Sequence, residues 1–113
     1  MTVSTHVLDA VSGRPASGVP VALTGRAPDG SWRPVEDGVT DADGRLRFAA
    51  TTAAGVYRLT FDTGRYFAER GLLGFYPEVV ITFSTAAADD GGDGHAHVPL
   101  LLSPFAYSTY RGS

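Results

Sequence analysis

Glycine and proline break this chain into short pieces: fourteen glycines and seven prolines are spread through 113 residues. The runs between them are short and rich in β-formers. The clearest is Val56–Asp62, where Tyr57, Leu59 and Phe61 alternate with Arg58, Thr60 and Asp62. A period of two marks a half-buried strand. The same pattern predicts strands over Val3–Val11, Val19–Arg26, Trp32–Val39, Arg45–Ala50, Glu78–Ser84, His95–Ser103 and Ala106–Tyr110. Pro34 places the third of these near a sheet edge. Turn clusters fall at Ser12–Pro15, Ala27–Gly30 and Ser103-Pro104. Asp43-Gly44, between two strand patterns, is a hairpin signal. One short helix is predicted over Gly64–Arg70, capped by Thr63 and stopped by Gly71. Thr85–Gly94 is small, acidic and glycine-rich, and is expected to be a mobile loop. Eight short strands and one helix predict an all-β sandwich, built as a single domain over residues 1–113.

Composition narrows the chemistry. Hydrophobic residues are 43% and charged residues 19%, a globular balance rather than a disordered one. Cysteine is absent, which excludes disulfides, thiolate metal sites and a cysteine nucleophile. All nine basic residues are arginine, so lysine Schiff bases and P-loop lysines are excluded too. A net charge of −3 argues against broad nucleic-acid binding. No segment has the apolar length of a membrane span. MTVSTHVLDA lacks the basic and apolar regions of a secretion signal, so the expected location is the cytoplasm.

Three histidines remain as candidates: His6, His95 and His97. On a strand, His95 and His97 share one face about 6.5–7 Å apart. They admit three readings: two solvated side chains; a zinc site completed by His6 with an open position for water; or metal-free general acid–base catalysis by neutral imidazole. Arg45 and Arg47 also share a face. Arg47 is expected to be solvated, whereas Arg45, at the mouth of the predicted hairpin, is placed to meet an anionic ligand. Asp89, Asp90 and Asp93 do not follow the ligand spacing of a calcium loop. Tyr57, Phe61, Phe67, Phe75 and Phe83 are expected in the core. A last strand close to Ser113 predicts that another subunit or a site holds the tail.

Several segments together resemble a known family. They are Thr5-His6-Val7-Leu8-Asp9, the turn Thr40-Asp41-Ala42-Asp43-Gly44-Arg45, the step Tyr76-Pro77-Glu78, and above all HAHVPLLLSPFAYSTYRGS. Essentially the whole chain is similar to the 5-hydroxyisourate hydrolase branch of the transthyretin family, and Tyr-Arg-Gly-Ser is the motif that hormone-carrying members lack. The resemblance implies a prealbumin-like sandwich of two four-stranded sheets and a homotetramer, a dimer of dimers whose central channel holds the active site. It implies hydrolysis of 5-hydroxyisourate to 2-oxo-4-hydroxy-4-carboxy-5-ureidoimidazoline, with no metal and no cofactor. The matching catalytic positions are His6, Arg45, His97 and Ser113; His6, Arg45, His95, Tyr110 and Ser113 would bind substrate. His6 and His97 would serve as base and orienting partner. Arg45 would hold substrate oxygens and keep a nearby histidine neutral. Gly112 would let backbone approach a ligand closely, and the Ser113 carboxylate would pair with Arg45 when substrate is absent. Ala96 and Ala106 depart from the family pattern, which often has tyrosine and glycine there; Ala96 should point away from the histidines. A non-catalytic carrier of a small apolar ligand is the alternative. Its channel would be lined by apolar and hydroxyl groups instead of imidazoles.

Overall fold

The structure, a computed structural model, describes residues 1–85 and 94–113. The described elements follow as β1 (Thr2–Asp9), β2 (Arg14–Pro15), β3 (Pro20–Arg26), β4 (Trp32–Val39), β5 (Arg45–Arg47), β6 (Gly55–Phe61), α1 (Thr63–Glu69), β7 (Val79–Thr85), β8 (His95–Ser103) and β9 (Ala106–Thr109). They form two sheets. In the first, β8 runs parallel to β1 along one edge, and β9 is antiparallel to β8. β5 and β2 take successive stretches of the other edge of β1. This sheet therefore has five strands but is four strands wide. The second sheet is antiparallel in the order β4, β3, β6, β7. The all-β sandwich predicted from the sequence is the observed architecture; the extra strand is Arg14–Pro15, within a predicted turn.

Alternation explains the layering. Val3, Thr5 and Val7 of β1 are buried, as are Val98, Leu100 and Leu102 of β8. With Val21, Leu23, Leu59, Phe61 and Val79 of the second sheet they make one core, which Tyr66 and Phe67 of α1 close at one end. Each large apolar side chain taken from water contributes about 1.5–3 kcal/mol. A one-residue slip of β1 would forfeit several of these and bury Ser4 and His6 instead. The register is thereby fixed, and Thr2, Ser4 and His6 are left on the outer face.

Polar contacts set the element ends. β1 stops at Asp9, short of the predicted Val11, because the Asp9 carboxylate turns the chain: Oδ1 accepts from the N–H groups of Val11 at 2.9 Å and Ser12 at 3.2 Å. Its Oδ2 accepts from the Tyr66 hydroxyl at 2.8 Å, tying β1 to α1. Burial, aided by that hydrogen bond, pushes the Tyr66 phenol up to about 12. β5 is shorter than the predicted Arg45–Ala50 because the Glu36 carboxylate accepts from the Ala49 and Ala50 N–H groups at 3.0 and 2.8 Å. Asp62, not Thr63, caps α1, accepting from Arg65 N–H at 3.2 Å. Thr63 is instead buried, and its hydroxyl donates to the Tyr76 carbonyl.

Two further expectations are corrected. The Asp43-Gly44 turn does not close a hairpin: β4 belongs to the second sheet and β5 to the first, so the turn carries the chain across the sandwich. Phe75 is 71% exposed, outside the core, where it packs edge-on against Tyr76, which in turn meets Tyr107. Most of the Thr85–Gly94 stretch, with Asp89, Asp90 and Asp93, lies outside the described residues. Among the described residues no helix is long and apolar enough to cross a membrane.

Candidate active site

The outer face of the first sheet gathers the polar residues of three strands. Register sets them in rows: Thr2 beside His95; Arg47, Ser4 and His97 across β5, β1 and β8; then Arg45, His6 and Pro99. Neighbouring strands lie about 4.8 Å apart, so His6, Arg45, His95 and His97 form one patch. Ala96 pairs with inward-facing Val3 and packs on the core, pointing away from the histidines as expected.

The crossing turn aims Arg45. Asp41 Oδ1 accepts from the N–H groups of Asp43 at 2.9 Å and Arg45 at 3.0 Å. Gly44 takes φ +73°, and its carbonyl accepts from Val7 N–H at 2.7 Å. A side chain at residue 44 would collide with the Val7 carbonyl oxygen, so only glycine lets the turn lie against β1. The Asp43 carbonyl then accepts from His6 Nε2 at 2.9 Å. A carbonyl only accepts, so neutral His6 carries its proton on Nε2 and leaves Nδ1 bare.

The paired histidines are parallel rings 6.4 Å apart, close to the spacing expected for alternate residues on one strand. His95 is bound at both nitrogens, Nδ1 to the Thr2 hydroxyl and Nε2 to Ser4 Oγ at 2.7 Å. The same Ser4 Oγ is 2.8 Å from His97 Nδ1. Two ring nitrogens of the three histidines, His97 Nε2 and His6 Nδ1, thus have no protein partner among the described residues. Burial holds His97 below the usual imidazole range, and the charges of His95, His6 and Arg45 add to this in that order. His95 is lowered by burial and then by Arg47. Arg45 therefore acts on a histidine as expected, but as the smallest contributor.

The tail reaches the patch through its backbone. β9 ends at Thr109, one residue short of the prediction, because Pro99, across from Tyr110 in the continued register, has no N–H to donate. Pairing resumes beyond it, with Gly112 N–H donating to the His97 carbonyl at 2.9 Å. Gly112 approaches the His97 ring itself: a Cβ there would overlap His97 Cδ2 and lie 3.2 Å from Pro99 Cγ. Tyr110 is 58% exposed and Ser113 is exposed. The expected pairing of the Ser113 carboxylate with Arg45 is not formed. The ion pair found among the described residues is Arg65–Glu69, on the surface of α1.

The structure brings His6, Arg45, His95 and His97, all singled out from the sequence, onto one face, and it adds Thr2, Ser4 and Arg47 beside them. Thr2 and Ser4 were legible by parity, since they precede His6 at intervals of two. Arg47 is exposed, as expected, and also stands across from Ser4, where its charge acts on His95. Among the described residues no three histidine, aspartate or glutamate side chains are grouped as a metal ion needs. A hollow of about 600 Å³ on the second sheet, lined by Val21, Gly38, Thr60, Asp62 and Glu78 among others, contains no histidine or arginine. The three histidines and Arg45 lie on the opposite layer.

Comparison with known proteins fits this arrangement. A 5-hydroxyisourate hydrolase of Salmonella dublin is 42% identical over 114 residues, covering 98% of this chain and 80% of the relative. The structure of Klebsiella pneumoniae 5-hydroxyisourate hydrolase is 39% identical, with TM-score 0.84 and 100% of both chains covered. Transthyretin from Sparus aurata is 36% identical, with TM-score 0.90, covering 97% of this chain and 95% of that one. The model of the HIUase/Transthyretin family matches residues 3–112, and the chain belongs to that family.

Proposed function

We propose that this protein hydrolyses 5-hydroxyisourate to 2-oxo-4-hydroxy-4-carboxy-5-ureidoimidazoline, by general acid–base catalysis at the histidine face. The observation that carries the proposal is the pair of imidazole nitrogens without a partner among the described residues, His97 Nε2 and His6 Nδ1, on one face with Arg45. Fold alone does not choose between branches of the family, because the Sparus aurata transthyretin and the Klebsiella pneumoniae hydrolase both superpose closely. The side chains support the hydrolase reading: a carrier of apolar ligands has no use for three imidazoles and a guanidinium on one face.

Hydrolysis of a cyclic amide adds water across a C–N bond. One water proton goes to a base as the oxygen attacks the carbonyl carbon. The oxyanion that develops needs positive charge, and the departing nitrogen takes a proton as the bond breaks. His97 Nε2 is a lone pair for the first step when its proton sits on Nδ1, and it is held neutral near pH 7 by its surroundings. His6 Nδ1 orients or accepts beside it. Arg45 holds the substrate oxygens and stabilises the oxyanion. His95 supports His97 through Ser4, and Tyr110 and Ser113 border the substrate. The active unit is a homotetramer. Its supports are β7 and β9, each an outermost strand, flanked by the exposed aromatic side chains of Phe75, Tyr76 and Tyr107; such edges are usually covered by another chain.

The test is to mix freshly generated 5-hydroxyisourate with the protein and follow its ultraviolet absorbance against spontaneous decay. Acceleration that survives exhaustive chelation is expected. Decay at the spontaneous rate would return the chain to the carrier reading. Loss on chelation, restored by zinc, would make the histidines metal ligands.

A further inference from the structure

Ser4 lies directly across β1 from His97 and one row from His95. Its hydroxyl is 2.7 Å from His95 Nε2 and 2.8 Å from His97 Nδ1. A serine hydroxyl carries one proton and donates one hydrogen bond. If Ser4 donates to one ring, the other ring must donate to Ser4. Were both nitrogens to donate, the Ser4 proton would have no protein acceptor among the described residues. Were both to accept, one would go unpaired. Ser4 and His97 are half-buried although His95 is exposed, and the 2.8 Å contact between Ser4 and His97 favours the arrangement that gives each shared proton an acceptor.

We propose that Ser4 is a positioning residue for hydrolysis, coupling the tautomers of His95 and His97 so that His97 Nε2 is set as base or as acid by the proton on His95. The inference rests on the hydrolase reading above. In the base-ready state, His97 Nδ1–H donates to Ser4 Oγ, Ser4 Oγ–H donates to His95 Nε2, and His95 Nδ1–H donates to the Thr2 hydroxyl. His97 Nε2 is then a bare lone pair facing outward. In the acid-ready state every bond in the chain reverses. Thr2 donates to His95 Nδ1, His95 Nε2–H donates to Ser4, Ser4 donates to His97 Nδ1, and His97 Nε2 carries a proton. Both histidines are Nδ1–H tautomers in the first state and Nε2–H tautomers in the second.

The base-ready state is the one that serves the reaction. From it His97 Nε2 takes a proton from the attacking water, which makes His97 an imidazolium whose Nδ1–H still donates to Ser4. It then gives the Nε2 proton to the departing nitrogen, which restores that state. No proton is gained or lost over the cycle. A second proton on His95 blocks it. Doubly protonated His95 must donate from Nε2 to Ser4, which forces Ser4 to donate to His97 and occupies His97 Nε2. Among the described residues, the charged or titratable groups that share the face of His95 are Arg47 and Arg45 on β5, His6 on β1 and His97 on β8. These are cations or bases, so their charges oppose the second proton.

The experiment compares the wild-type protein with Ser4→Ala and Ser4→Thr. Imidazole ¹⁵N shifts at pH 8, where both rings are neutral, report tautomers; kcat and KM for 5-hydroxyisourate report function. His95 and His97 of the wild type should share the Nδ1–H tautomer. Ser4→Ala should break that agreement and lower kcat on the order of 10–100-fold, the usual weight of a partner that orients a functional histidine, with KM within about twofold. Ser4→Thr, which keeps the hydroxyl, should restore both readouts. Unchanged tautomers in Ser4→Ala, or changed tautomers with wild-type kcat, would overturn the proposal. If the wild type fails to hydrolyse the substrate at all, the hydrolase reading falls, and the spectra alone decide whether Ser4 links the rings.

Discussion

Gly112→Ala should uncouple stability from activity. Gly112 does not adopt a positive φ, so the need for glycine there comes from space and not from backbone angle. An added Cβ would overlap His97 Cδ2, with His97 Cγ at 3.1 Å and Pro99 Cγ at 3.2 Å. Carbon atoms rest about 3.5–4.0 Å apart, so ring and tail must separate by about 1 Å. Pro99 is buried and gives little. The imidazole can swing away and lose Ser4, or the tail can lift and lose the Gly112–His97 hydrogen bond at 2.9 Å. Either loss costs about 1 kcal/mol, and neither touches the core, so the urea midpoint should move only slightly. A displacement of about 1 Å at the reacting group costs on the order of 100-fold in rate. The expected outcome is kcat/KM for 5-hydroxyisourate reduced about 100-fold in a folded protein. Wild-type turnover in Gly112→Ala would show that contact between tail and ring is not needed, and the steric argument would fail.

Four more outcomes are expected. His97→Asn should lower kcat/KM about 10²–10⁴-fold, the range for loss of a general base, with the circular dichroism spectrum retained. The acid limb of kcat/KM should fall below pH 6.5, since burial and neighbouring cations lower His97 and keep it neutral there; the sign for stability is the same, because the unfolded chain binds more protons below that pH and folding weakens as pH drops. An acid limb centred above pH 6.5 would contradict this. Tyr66→Phe removes the donor to Asp9 Oδ2, a carboxylate only 6% exposed, and should destabilise by about 1–3 kcal/mol in urea denaturation while kcat holds. Deleting residues 110–113 should abolish hydrolysis and leave the β-sheet signal standing; retained activity would make the tail a loose end.

The fold was legible wherever one residue alternates with the next. Period two gave the strands because apolar side chains on one face and polar ones on the other leave little choice of register. It failed where a single polar side chain decides. Nothing in the run Val3–Val11 says that Asp9 will turn back on Val11 and Ser12, and nothing near Ala49 announces Glu36 thirteen residues earlier. The Asp43-Gly44 pair signalled a turn correctly, but its partners could not be read. Turn chemistry specifies the local bend. Which sheet the next strand joins is set by distant packing, here Phe48 buried beside Val3.

The histidine patch divides along the same line. His95 and His97 on one face followed from strand geometry, and the observed 6.4 Å spacing needed no homologue. That His6 and Arg45 join them depends on a parallel pairing of β1 with β8 across some ninety residues of sequence, which no local pattern encodes; the family resemblance supplied it. Once the pairing is known, strand parity carries the argument further. The same parity that turns His6 outward turns Ser4 and Thr2 outward, and the register that sets Ser4 beside His97 sets Arg47 on its other side. A strand whose inner face is fixed by Val3, Thr5 and Val7 cannot move Ser4 without moving the core. The hydroxyl that meets both imidazoles is therefore held in place by the packing energy of the sandwich.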